Sequence, residues 1–100
     1  MSGTRVIMDM PEHWVRVGDH IEREFRFSSF ADAIAFMVRV SFHCERMDHH
    51  PEWTNVYTRV RVALTTHDAG TVTAKDVALA DVMNRVFEAF AVTPVSAPRP

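Results

Sequence analysis

The apolar residues of this chain change their spacing three times, and those changes limit the folds open to it. A strand turns successive side chains to opposite faces, while a helix brings every third or fourth onto one. In residues 20–27, Ile21, Phe25 and Phe27 share a face with Arg23, and Glu22, Glu24 and Arg26 take the other. Phe30, Ala33, Ile34, Met37, Val40 or Ser41, and Cys44 then recur at helical spacing. The alternation returns with Val60, Val62 and Leu64 set against Arg59, Arg61 and Ala63. It gives way again to a helical row of Asp76, Leu79 or Ala80, Met83, Val86 or Phe87, and Phe90. Residues 14–17 ahead of the Gly18-Asp19 turn add a first hairpin strand. Residues 52–56 add a short strand before a longer one over 57–66. The order is strand, strand, helix, strand, strand, helix, which predicts a two-layer α+β domain.

Local signals set the boundaries. Ser29-x-x-Asp32 reads as a capping box opening a helix that runs to about Met47, and Thr73-x-x-Asp76 caps the second helix. Asp68-Ala69-Gly70 is a turn. Phe36, Val38 and Phe42 fall off the first helix's main stripe. Helices apolar on more than one side are buried deeply or used in interfaces, so this one hints at oligomerisation.

A length of 100 residues fits one domain, placed over 1–92, with 1–12 as a lead-in arm and the Pro-rich 93–100 as a disordered tail. A net charge of −2 argues against a basic surface for nucleic acid. No apolar run reaches membrane length, and the start lacks the features of a signal peptide. Cys44 is the single cysteine, so no internal disulfide is expected. It reads as a small buried apolar residue in a reducing, cytoplasmic setting.

One segment does not look like ordinary helix or strand. Residues 45–67 hold three of the six histidines, His49, His50 and His67. Histidine exchanges a proton near neutral pH, its unperturbed pKa being roughly 6.5. Pro51 disfavours helix at His50 and marks a break, where neighbouring side chains diverge. That suits two histidines with separate tasks better than two ligands on one metal. Three histidines with Glu45 or Asp48 can fill a zinc sphere, but the local His-x-x-x-His spacing is absent, so no metal is expected. On composition alone, His49 and His50 would be a solvated turn and His67 a strand end. Asp76 reads first as a helix N-terminal carboxylate, and Trp53 divides evenly between core packing and a ligand wall.

The wider pattern changes that balance. Glu45, the run Asp48-His49-His50-Pro51-Glu52-Trp53, Asn55-Val56-Tyr57, the strand ending Thr66-His67, and Asp76 closely resemble the signature of the pterin-4a-carbinolamine dehydratases. The tight match covers residues 45–76. The resemblance implies a four-stranded antiparallel sheet with helices on one face, assembled as homodimers or homotetramers. It implies removal of water from 4a-hydroxytetrahydropterin, with the pterin as substrate and no cofactor, downstream of an aromatic amino acid hydroxylase. It makes His49 and His67 the proton-transfer pair and His50 the positioning histidine, with the roles of His49 and His50 open to exchange. Glu45 and Asp48 would orient imidazoles, and Trp53 would wall the pterin. The strand over 57–66, including Thr66, would offer it backbone hydrogen bonds, while Asp76 and Pro51 support the site. The family also includes a non-catalytic role as dimerisation cofactor of a homeodomain transcription factor, the alternative reading here.

Overall fold

The computed structural model of the chain describes residues 9–92. The first eight residues of the expected lead-in and the expected tail over 93–100 lie outside the described residues. The element order is β1 (Val15–Val17), β2 (His20–Arg26), α1 (Phe30–Met47), β3 (Glu52–Val56), β4 (Arg59–Leu64) and α2 (Ala74–Val92). The strands form one antiparallel sheet in the order β1-β2-β4-β3. This is the α+β, four-stranded layout expected from the spacing changes and the family resemblance.

The register follows the period-two pattern. Ile21 pairs with Leu64, Arg23 with Val62 and Phe25 with Val60, so the apolar columns of β2 and β4 meet on one face. Ala33, Phe36, Val40 and Cys44 of α1 and Leu79, Ala80 and Met83 of α2 join them in a single core. Phe25 lies at its centre, 4.7 Å from Phe36 and 5.2 Å from Phe87 between ring centroids. Truncating such a buried ring typically costs about 3–5 kcal/mol. Arg23 shares this apolar face because its guanidinium stacks 4.2 Å from the Phe25 centroid and donates to Asn84 Oδ1. Burial lowers the pKa of that guanidinium, and Glu88 and Glu12 oppose the shift.

Two readings of the sequence need correction. The buried row of α1 runs through Ala33, Phe36, Val40 and Cys44, whereas Phe30 and Ile34, expected in the stripe, face outward. Spacing shows that a helix has an apolar face; it does not choose between two faces when both are apolar. The last strand is also shorter than 57–66. Tyr57 has φ +53 and turns the β3–β4 hairpin, and regular pairing ends at Leu64. Among the described residues no helix is long and apolar enough to cross a membrane.

Candidate active site

The site is built where three elements end. Helix α1 stops because Asp48 takes the left-handed conformation, φ 52 and ψ 46. Its N–H donates to Glu45 O at 3.3 Å, and the His49 N–H reaches back to Cys44 O at 3.1 Å. These paired bonds close the helix as a Schellman motif and fix the direction in which His49 leaves it. Beyond β4, Thr66 forms an isolated bridge to Thr71, and Gly70, with φ 69, closes a tight turn that leaves His67 exposed. Helix α2 then starts after Thr73.

Asp76 joins these ends. It is completely buried, and both its oxygens are used. The Thr66 hydroxyl donates to Oδ2 at 2.7 Å, the Thr73 N–H donates to the same oxygen at 2.8 Å, and Oδ1 lies 2.6 Å from His49 Nε2. An ionised carboxylate can only accept, so His49 Nε2 carries the hydrogen of that contact. Nδ1 is left as the ring nitrogen free to exchange a proton. The single Thr66 hydroxyl hydrogen goes to Asp76, so in the 2.7 Å contact between the two threonines Thr73 is the donor. The Lys75 N–H in turn donates to the Thr73 oxygen.

The other two histidines are held more loosely. His50 Nε2 lies 3.1 Å from Glu45 Oε2, an exposed pair. His49, His50 and His67 all line one cleft of about 350 Å³, together with Asp48, Pro51, Glu52, Thr65, Thr66, Asp68 and Lys75. The cleft therefore offers one buried imidazole of fixed tautomer and two exposed ones, with hydroxyl and charged groups at the rim. That arrangement can deliver and accept protons on a bound polar ring.

The family model described as pterin 4 alpha carbinolamine dehydratase matches residues 4–86. The chain belongs to that family. A relative from Mesorhizobium japonicum, provisionally named a pterin-4-alpha-carbinolamine dehydratase, is 57% identical over 70 residues, covering 70% of this chain and 71% of its own. A relative from Prochlorococcus marinus with the same provisional name is 45% identical over 75 residues, covering 75% and 78%. Among solved structures, a transcriptional coactivator/pterin dehydratase from Brucella melitensis superposes with a TM-score of 0.73 at 40% identity, covering 75% of this chain and 82% of that one. A pterin dehydratase-like protein described as a RuBisCO assembly factor of the alpha-carboxysome superposes at 0.66 with 20% identity, which shows the shared fold alone.

Within this dehydratase-family fold, the residues singled out from sequence are placed unequally. His49, His50, His67, Asp48, Pro51 and Thr66 line the cleft, and Glu45 and Asp76 reach it through His50 and His49. Trp53 is not among its lining residues. It pairs with Val62 and packs against the core, and it borders the neighbouring hollow over the sheet with Pro51 and Glu52. The β4 backbone pairs with β2 from Arg59 to Leu64 and with β3 from Arg59 to Ala63, so its free edge on the β3 side begins at Leu64. Asp48 contributes its left-handed backbone as well as a rim carboxylate. Sequence reasoning passed over Thr73, whose hydroxyl braces Thr66, and gave Lys75 no role, although it lines the cleft. The cap signal at Thr73 was visible, but its second function depends on a chain crossing that spacing does not record.

Proposed function

We propose that this protein is a hydro-lyase that removes water from 4a-hydroxytetrahydropterin to give the quinonoid dihydropterin. The observation that carries this reading is the convergence of His49, His50 and His67 on one cleft, with His49 tied to buried Asp76. The elimination moves protons and water alone, so imidazoles suffice. One imidazolium protonates the departing 4a-hydroxyl, which leaves as water, and a second, neutral imidazole accepts a ring N–H proton. His49, through Nδ1, and His67 form the proton-transfer pair, and His50, oriented by Glu45, positions the pterin. Asp76 plays the part that a carboxylate plays behind a catalytic histidine, holding the tautomer and balancing the charge that forms on the ring. An aromatic amino acid hydroxylase is the class of reaction that supplies such a carbinolamine, and tetrahydropterin recycling consumes the product. The protein works as a cytoplasmic homo-oligomer, a setting consistent with its lone, buried Cys44.

The deciding experiment is dehydration of freshly generated 4a-hydroxytetrahydropterin, followed by ultraviolet absorbance. Wild type should accelerate it, and His49→Ala and His67→Ala should each lose about 10²–10⁴-fold with their circular dichroism intact. A wild-type rate equal to buffer would sink the catalytic reading. A binding or assembly module on the same fold would then take its place, a reading favoured by the exposed apolar row on α1.

A further inference from the structure

The cleft adjoins a second, larger space. A hollow of about 750 Å³ lies over the open face of the sheet, and Pro51 and Glu52 border both spaces. The sheet register orders what lies beneath it. Glu22, Ala63 and Glu52 form the row nearest the cleft, with the small Ala63 between two carboxylates. Glu24, Arg61 and Thr54 form the next row, and Arg26, Arg59 and Val56 the one after. By the rise of a strand, these rows lie about 7 Å and about 13 Å beyond Glu52. The open face thus passes from acid to base with distance from the histidines.

The arginines are placed at a cost. Arg26 and Arg59 stand directly opposite on adjacent strands, and like charges so placed destabilise a sheet. Arg26 is relieved by Glu24 at 2.8 Å. Among the described residues, no carboxylate lies within ion-pair distance of Arg59 or Arg61. The hollow's own carboxylates, Glu22 and Glu52, sit nearer the cleft, and Glu52 lies 3.9 Å from His20. Two residues apart on β4, Arg59 and Arg61 therefore present uncompensated guanidiniums to one space. A guanidinium holds phosphate or carboxylate through paired hydrogen bonds in a fixed fork.

We propose that this hollow is a subsite for the 6-substituent of the pterin, and that Arg61 and Arg59 select a substituent ending in a phosphate or carboxylate. The inference rests on the pterin reading above and names the substrate class of that site. Position 6 of the ring is two bonds from the reacting C4a, so its substituent leaves the ring beside the histidines and must run out of the cleft. Passing Pro51 it meets Glu22 and Glu52, which accept hydrogen bonds from hydroxyls or an amine along the chain. Its charged end then meets Arg61 and Arg59, where the sheet supplies no anion of its own.

Neopterin and neopterin 3′-phosphate are stable, fluorescent and differ only in the terminal group, so titrating each against the full-length chain tests the subsite. The phosphate should bind at least about tenfold tighter. Arg61→Gln and Arg59→Gln should each weaken the phosphate several-fold more than neopterin. Arg59→Gln should also melt no lower than wild type, because it removes the like-charge pair with Arg26. Folic acid in the same titrations reads a carboxylate on a longer arm: arginine-dependent binding of either anion supports the subsite and says which anion it takes. Equal affinities for neopterin and its phosphate, with folic acid unmoved by both variants, would overturn the inference. So would a preference that survives both arginine variants and is lost in Lys75→Gln, which would place the anion at the cleft's own ammonium. The dehydration assay on the same samples keeps the readings apart. Acceleration of the neutral carbinolamine with no preference for an anion overturns the subsite alone, whereas anion-selective binding without dehydration overturns catalysis alone. Failure to bind any of the three pterins overturns both.

Discussion

Asp76→Asn separates the two tasks of the buried carboxylate. The amide has the same shape but offers one accepting oxygen and one donating nitrogen. The Thr73 N–H can only donate, so the oxygen must stay on the Thr73 and Thr66 side, where Oδ2 now accepts both. The amide nitrogen then faces His49 Nε2, which must surrender its hydrogen and accept. The ring proton moves to Nδ1, the reverse of the arrangement that leaves Nδ1 free. Three hydrogen bonds to a charged group, worth about 1.5–3 kcal/mol each, become neutral ones of about 0.5–1.5. By that difference the fold should lose about 3–4 kcal/mol, less than the roughly 5–15 kcal/mol by which ordinary domains are stable, so it should still be folded at 25 °C. The rate should fall about 10²–10⁴-fold. Urea unfolding beside initial dehydration rates, at one pH, gives both numbers. Asp76→Ala instead strands the Thr66 and Thr73 donors and the His49 N–H in a dry site, at about 3–5 kcal/mol. A folded Asp76→Asn within about threefold of the wild-type rate would reduce Asp76 to a helix cap, and the catalytic role given to its contact with His49 would be wrong.

Three further outcomes follow from the same geometry. Asp48→Gly should leave the melting temperature unchanged or raised, because glycine takes the left-handed helix end freely, whereas Asp48→Val should cost about 1–2 kcal/mol; equal melting curves would remove the backbone role. Glu45→Gln should raise KM for the pterin with little change in stability, since the Glu45–His50 pair is exposed; a shift in kcat with KM constant would count against His50 as a positioning residue. Burial pushes the Cys44 thiol above its ordinary pKa, so a thiol reagent should modify native protein slowly and unfolded protein fast. The unfolded chain ionises first as pH rises, so this thiol's stabilising contribution is complete below about pH 8.5 and declines above it. Urea midpoints of wild type and Cys44→Ala across that range provide the check.

The sheet was legible in the sequence because its two long strands bury one face each. Alternation in residues 20–27 and 59–64 states both the period and the phase, and the observed register of Ile21 with Leu64 and Phe25 with Val60 is the one that brings the two apolar columns together. The first helix was legible only in period. Phe30 and Ile34 were placed inward and Phe36 off the main stripe, yet Phe36 is fully buried and the other two are not. A row inward through 33, 36, 40 and 44 and a row outward through 30, 34, 38 and 42 have the same helical spacing, and only packing against β2 and β4 selects between them. Trp53 was undecided for a similar reason. A tryptophan on a short edge strand faces the core or the solvent side by parity, and β3 parity became definite once Trp53 paired with Val62.

The site divides along the same line. What depends on the chain's immediate neighbours was readable: the break at Pro51, the helix end at Asp48, and Glu45 one turn back from the break, within reach of His50. What depends on two distant segments crossing was not. His49 and Asp76 are 27 positions apart, and their 2.6 Å contact arises because the chain beyond β4 brings Thr66 to the start of α2, where its hydroxyl and His49 meet the same carboxylate. A carboxylate at that start satisfies Thr73 and would be favoured there with no histidine present, so the cap signal conceals the second task. Yet the two tasks reinforce each other. The Thr66 hydroxyl and the Thr73 N–H fix the carboxylate, and the fixed carboxylate can then specify which His49 nitrogen bears the hydrogen. The buried half of the cleft is positioned by the fold's own core, while His50 and His67 lie exposed at its rim.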